Sequence, residues 1–232
     1  MQPQAFLRLP FEFDAAAMLR DLRTCEELDW KAHFNSRDYA GSWTSIALRS
    51  ASGASNDILA HPDGRYRDTE LLARCPYFTH VLQSFACELE SVRLLNLAAG
   101  SCIKEHSDPQ TGYRYGVFRL HVPLATSEQV DFLVGGQRLD MAAGQCWYGD
   151  FSLPHSVQNR SAAARVNLVI DGKRNAWSDG IFAQAGYDFA AEAEASAAQP
   201  DAATRERIIA ELRAMGGETA HTLIRQLQEQ QP

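Results

Sequence analysis

At 232 residues the chain can bury one sizeable core, and its length suits one large domain, alone or with appendages. Its 22 basic and 29 acidic residues leave a net charge of −7 without a basic run, so nucleic acid has no electrostatic footprint and an acidic ligand would need local arginines. Five widely spaced cysteines without a Cys-x-x-Cys pair argue against a disulfide framework or a zinc ribbon, and neither a signal-peptide pattern nor a membrane-length apolar run is present, so a soluble cytoplasmic protein with no membrane partner is expected.

In chain order, Asp14 caps a helix that runs to about Leu28, with Met18, Leu19 and Leu22 as its apolar stripe. A strand is expected from Trp43 to Leu48. Ser50 to Tyr66, rich in Ser, Gly, Asn, Asp and Pro, reads as a long surface loop. Two short helices follow, opened by Thr69 and by Pro76 and reaching about Glu88. From Val92 to Asp171 the pattern is one of strands. Gly135-Gly136 makes a hairpin turn between residues 130–134 and 137–141, and Gly144 makes a second turn before Cys146 to Tyr148. After Trp177 the strand signal fades. Ala190 to Ala203 reads as a weak helix or a linker, Asp201 caps a helix to Met215, Gly216-Gly217 stops it, and a last helix covers Glu218 to Gln228. No internal repeat is visible.

The polar residues on these strands carry the chemistry. Val92 to Leu97 and Ile103 to His106 read as strands around a turn at Ala98 to Ser101, and a period of two puts His106 and Asp108 on one side of the extended chain. A His-x-Asp pair alone is more often a surface turn than a metal site. Here His155 follows, then Arg165 on a strand where Arg165, Asn167, Val169 and Asp171 share one face and Val166, Leu168 and Ile170 the other. A third strand, Tyr115 to Val122, sets Arg119 and His121 opposite Phe118, Leu120 and Val122. Buried charge without partners is costly, so such faces read either as solvent-facing or as the lining of a barrel that binds a metal and anions. Two imidazoles and a carboxylate with open positions suit a non-haem Fe(II) site. A trailing arginine suits the far carboxylate of 2-oxoglutarate, whereas an isolated arginine would by default be a surface ion pair.

The segments from Arg93 to Asp108, Phe118 to Leu124, Phe132 to Tyr148, Pro154 to Asn159 and Arg165 to Asp171 resemble the aspartyl/asparaginyl β-hydroxylase family, which includes bacterial free-proline hydroxylases. The resemblance covers about Val92 to Trp177 in one order. It implies a mainly β fold with flanking helices, a double-stranded β-helix (jelly-roll, cupin-like) core in residues 1–180, and a helical extension in residues 181–232. It also implies Fe(II), 2-oxoglutarate and O2 as cofactor and co-substrates. Residue by residue, it makes His106, Asp108 and His155 the catalytic metal ligands, Arg165 the anchor of the distal carboxylate and His121 a second contact to 2-oxoglutarate. Arg119 matches a position facing the prime substrate.

Trp147 and Asp150 are further candidates for the substrate pocket. Trp147 reads more readily as core packing, and Arg114 as a solvated loop residue. Residues 109–116 form a longer loop than compact members of the family have, which reads as a lid or a substrate determinant. Asp108 points to the small-molecule branch of the family, because the animal enzymes that act on folded domains lack this carboxylate.

Three functions are compatible with these observations: a hydroxylase of a free amino acid or similar small carboxylate-bearing molecule, the same chemistry on a peptide or protein, and a non-catalytic cupin-like metal-binding protein. The C-terminal helices could support a homodimer.

Overall fold

Strand pairing runs from Phe6 to Lys173, and every pairing is antiparallel. The computed structural model describes residues 4–61, 64–197 and 202–229, so the cap expected at Asp201 lies outside the described residues. In chain order the elements are β1 (Phe6–Glu12), α1 (Ala15–Glu26), β2 (Lys31–Ala32), β3 (Tyr39–Ala40), β4 (Trp43–Ser50), β5 (Arg67–Asp68), α2 (Glu70–Ala73), α3 (Pro76–Gln83), β6 (Leu89–Leu97) and β7 (Cys102–His106). There follow a 3-10 turn at Tyr113–Tyr115, β8 (Val117–Ala125), β9 (Val130–Val134), β10 (Gln137–Arg138), β11 (Gln145–Gly149), β12 (His155–Asn159), β13 (Arg165–Lys173), α4 (Ala176–Gln184), α5 (Phe189–Ala197), α6 (Ala202–Met215) and α7 (Glu218–Glu229).

The larger sheet has the order β1-β11-β8-β13-β6-β4-β2, with β5 on β4; the smaller has the order β10-β9-β12-β7-β3. The two form a jelly roll without a closed barrel, mainly β with flanking helices. Strands of the larger sheet send alternate residues to two cores. Val92, Leu94, Leu120, Val122, Leu168 and Ile170 meet the helices through Met18, Phe78, Val81 and Phe182. On the other face, Leu95, Leu97 and Val169 meet Ile103, Phe132, Val134 and Val157 of the smaller sheet. With both faces covered, β13 reads as a nearly continuous buried run, and a polar residue on its inner face must find a partner inside the protein.

Local chemistry sets the helix ends. Asp14 Oδ1 accepts from the N–H groups of Ala16 (2.8 Å) and Ala17 (3.1 Å), and Thr69 Oγ1 from that of Leu72 (3.3 Å). Cys75 gives α3 no side-chain cap. Asp21 of α1 instead accepts from the N–H groups of Tyr77 (2.7 Å) and Phe78 (2.9 Å), which ties the two helices together. α3 stops at Gln83, short of the expected Glu88, because the chain must turn at Ser84 to enter β6 at Leu89.

β1 is an element that the sequence reading missed. Leu7 and Leu9 point inward, but Pro10 breaks the strand signal. Proline is tolerated there because β1 is an edge strand.

Residue 180 falls inside α4, whose Phe182 is 1% exposed and stacked 3.6 Å from Tyr113 between ring centroids, and Tyr187 and Phe189 pack on the same core. The packed unit therefore continues to α5, past the boundary expected at 180/181. The described part of the alanine-rich stretch is helical, and α6 and α7 pack on one another. Among the described residues no helix is long and apolar enough to cross a membrane, and the five cysteines are unpaired.

Candidate metal and anion site

β7 and β12 pair so that His106 and His155 face each other across the ladder, with ring centroids 4.2 Å apart. Asp108 lies just beyond β7, where its N–H donates to the Phe151 carbonyl (2.9 Å), and its Oδ1 is 3.9 Å from His106 Nε2. Ligand atoms of the three residues all lie within 4.8 Å of one another.

His106 Nδ1 is 2.8 Å from the Lys104 carbonyl and His155 Nδ1 is 3.0 Å from the Leu153 carbonyl. A carbonyl can only accept, so each Nδ1 carries the proton and each Nε2 offers its lone pair. Burial pushes His155 down to about 4 and keeps it neutral at pH 7. Burial pushes the Asp108 carboxyl up, but the Arg119 guanidinium and the two imidazoles outweigh it and hold the group below its ordinary range. Two imidazoles offering Nε2 and one carboxylate form a donor set that fits a divalent Fe(II)-type ion with open positions.

These ligands open onto a cavity of about 270 Å³, lined also by Arg119, His121 and Arg165 and walled by Trp43, Phe132 and Phe151. Arg165 is only 2% exposed, and among the described residues no carboxylate lies within ion-pair distance of it. Its guanidinium lies 5.1 Å over the Phe132 ring, and burial pushes its pKa down to about 10, so it stays charged at pH 7. Asn167, turned with its oxygen inward, accepts from Arg165 Nη2 (2.6 Å) and from His121 Nδ1 (3.0 Å). That contact fixes the His121 tautomer, with Nε2 unprotonated. Burial first, then Arg165 and Arg119, push the His121 pKa well below the usual histidine range. The site thus keeps one uncompensated cation beside a metal donor set, and an anion is the ligand that relieves it.

The other candidates are placed differently. Arg119 lines the cavity, but its Nε and Nη2 fork onto Asp171 (2.6 and 3.2 Å) and its Nη1 donates to Asp108 Oδ2 (2.7 Å). Trp147 does not line the cavity. Its indole packs edge-on against Phe6 in the inter-sheet core, and its N–H donates to Gln145 (2.9 Å). Asp150 is also outside the cavity; it is 3% exposed, accepts from the Ser152 N–H (3.1 Å) and lies 3.9 Å from Arg114. Asp150 and Arg114 brace residues 109–116, with Arg114 Nη2 donating to Ser152 Oγ (3.0 Å).

That loop is pinned. Tyr113 is fully buried, its hydroxyl donates to Asp179 (2.9 Å), and Arg174 lies 4.6 Å over its ring. The loop forms part of the cavity wall, to which Thr111 contributes, and its later half is anchored through Tyr113.

Sequence reasoning missed Arg93, Trp43 and His33, all of which line the cavity. Arg93 Nε, Trp43 Nε1 and His33 Nδ1 are buried polar atoms without a hydrogen-bond partner among the described residues. Arg93 Nη2 donates to Asp171 (2.9 Å) and Nη1 to the Ile58 carbonyl (3.2 Å), which leaves Nε free. A signal for Arg93 was available: it pairs with Val169, on the inward face already read for Arg165 and Asp171.

The fold and site define a jelly-roll protein with a His-x-Asp…His cluster that could hold a metal ion and a buried arginine beside it. The chain belongs to the aspartyl/asparaginyl β-hydroxylase family, whose model matches residues 12–175. A curated relative, the L-proline cis-4-hydroxylase of Rhizobium meliloti (strain 1021), is 27% identical over 172 residues. The match covers 72% of this chain and 60% of the relative, so the chain spans well under two thirds of that protein's length. Among solved structures, an oxidoreductase of the 2OG-Fe(II) oxygenase family from Burkholderia pseudomallei shares the fold, with a TM-score of 0.50 and 16% identity over 74% of this chain and 86% of that one.

Proposed function

We propose that the protein is an Fe(II)- and 2-oxoglutarate-dependent hydroxylase of a free amino acid or a similar small carboxylate-bearing molecule. The observation that carries this reading is the buried, unpaired Arg165 in the cavity that His106, Asp108 and His155 enter. A guanidinium fork is the best geometric partner for a carboxylate, and desolvation strengthens the contact.

Bound Fe(II) with 2-oxoglutarate and O2 supplies oxidative decarboxylation, yielding succinate and CO2, coupled to hydroxylation of a C–H bond. The chain's own residues supply geometry and charge. His106 and His155 present their Nε2 lone pairs, and Asp108 presents its Oδ1. Arg165, steadied by Asn167, takes the distal carboxylate, with His121 beside it. With Arg119 committed to two aspartates, Arg93 Nε is the freer donor for a substrate carboxylate, and the Trp43 indole, elsewhere on the cavity wall, offers an unused N–H and an apolar face. A cavity of about 270 Å³ favours a small molecule over a peptide, and five unpaired thiols with an Fe(II) site favour a reducing, cytoplasmic setting.

The test is succinate release by anaerobically Fe(II)-loaded protein on admission of O2, with 2-oxoglutarate and a panel of free amino acids that starts with L-proline, beside short peptides. Stimulation by one amino acid, lost in His155→Ala, is expected. Stimulation by peptides alone would move the assignment to a peptide hydroxylase, and no turnover with any substrate would leave a metal-binding protein.

A further inference from the structure

Along the cavity wall, four charged side chains alternate in sign: Arg93, Asp171, Arg119 and Asp108. Asp171 of β13 stands opposite Arg119 of β8 in the ladder, and Arg93 reaches it from β6. The side chains of Arg93, Asp171 and Arg119 are 6%, 13% and 18% exposed, so each charge depends on its neighbours for compensation. Burial pushes the Asp171 carboxyl up, but Arg119 and Arg93 outweigh it and keep it ionised.

The geometry of Asp108 depends on this row. Its Oδ2 is occupied by Arg119 Nη1, while its Oδ1 is the oxygen on the His106 side. Arg119 can hold that pose because Asp171 grips its Nε and Nη2 as a two-pronged fork, a contact that fixes the plane of the guanidinium.

We infer that Asp171 is a positioning residue: by fixing Arg119 it aims one oxygen of Asp108 at the metal and holds the other back. This rests on the proposed metal role of His106, Asp108 and His155. Without Asp171 two guanidiniums would share the single carboxylate of Asp108 and compete with the metal for it. Loss of a direct partner of a metal ligand, the place Arg119 holds behind Asp108, lowers metal affinity by roughly 10- to 100-fold, and freeing Arg119 by removing Asp171 is expected to reach the lower end of that range.

The experiment is calorimetric titration of metal-free protein with Mn(II) alone, on wild type, Asp171→Asn, Arg119→Gln and the double variant, with thermal melts to confirm folding. Asp171→Asn is expected to weaken Mn(II) binding at least about tenfold in the wild-type background and less than about twofold in Arg119→Gln, since a residue that acts through another shows no effect once that other is gone. Equal losses in both backgrounds would mean that Asp171 acts only as a distant charge, and unchanged affinity in Asp171→Asn would mean that it does not act on the site; either overturns the inference. If Asp171→Asn fails to fold, the charge-balanced Arg93→Gln/Asp171→Asn protein carries the test, with the same tenfold loss expected and wild-type affinity as the overturning result. Absence of Mn(II) binding by wild type, or full binding by His155→Ala, would bring down the metal reading and this inference together. Tight wild-type binding with an indifferent Asp171→Asn would remove the inference alone.

Discussion

Replacing Arg165 by methionine should move two quantities in opposite directions. Arg165 is buried with no carboxylate partner among the described residues, so in the ligand-free protein its charge is a cost, and an apolar side chain of similar length should leave stability unchanged or raise it. The 2-oxoglutarate complex should instead lose a buried charge-assisted contact, about 1.5–3 kcal/mol, or roughly a 10- to 150-fold weaker affinity. With Mn(II) present and 2-oxoglutarate at 100 times its wild-type Kd, wild type gains about 2.7 kcal/mol of stability, whereas a hundredfold weaker variant gains about 0.4 kcal/mol. For a protein of this length, wild type should melt roughly 5–11 °C higher with the co-substrate and the variant only about 1–2 °C higher. Differential scanning fluorimetry with and without 2-oxoglutarate reads both effects. A variant that melts well below wild type without ligand, or that keeps the full ligand-induced shift, would show that Arg165 is a structural cation with a partner elsewhere.

Two further outcomes follow from burial. His33 and His155 are both held at about 4 by burial, and His121 is also lowered, against an ordinary histidine value of about 6.5. The unfolded chain therefore binds more protons between those values, so the stability of metal-free protein should be fully present above about pH 6.5 and fall as the pH drops towards 4. Urea unfolding at pH 7 and pH 4.5 checks the sign, and equal stability at the two would show that these imidazoles are not buried as neutral groups. Phe182→Ala should destabilise by about 3–5 kcal/mol, because it empties a site stacked on Tyr113 in the main core. A loss under about 1 kcal/mol in guanidinium titration would mean that α4 is peripheral.

The convergence of the three candidate metal donors was legible in the sequence because its signal is local: a period of two aligns His106 with Asp108, and a short strand begins at His155. Arg165 and His121 were legible for the same reason, as polar residues at the inward parity of apolar strands. What escaped depends on partners distant in sequence. Arg119 looked free because Asp171, 52 residues away, becomes its neighbour only through the pairing of β8 with β13. Asp150 looked available because the packing of Gly112 and the bracing of Ser152 against it have no sequence signature. Trp147 shares the β11–β8 ladder with His121, yet its indole is taken up by Phe6 of the edge strand that Pro10 concealed. The burial of Tyr113 at the end of residues 109–116 was not legible either, because its aromatic partners Phe182, in α4, and Tyr187, in the turn between α4 and α5, lie beyond the strand pattern.

Core and site occupy the same strands at opposite parity, and this constrains how such a protein can change. On β13 the even positions Val166, Leu168 and Ile170 face the helices while Arg165 and Asn167 face the cavity, and β8 is divided in the same way. Loss or gain of a single residue inside either strand would exchange the two sets downstream, sending guanidinium and imidazole into the oily layer and methyl groups to the ligand. Chain length is therefore negotiable only at the turns, so new specificity has to be acquired by altering the rim loops around residues 33–38 and 51–61 or by one-for-one replacement along the inward rows.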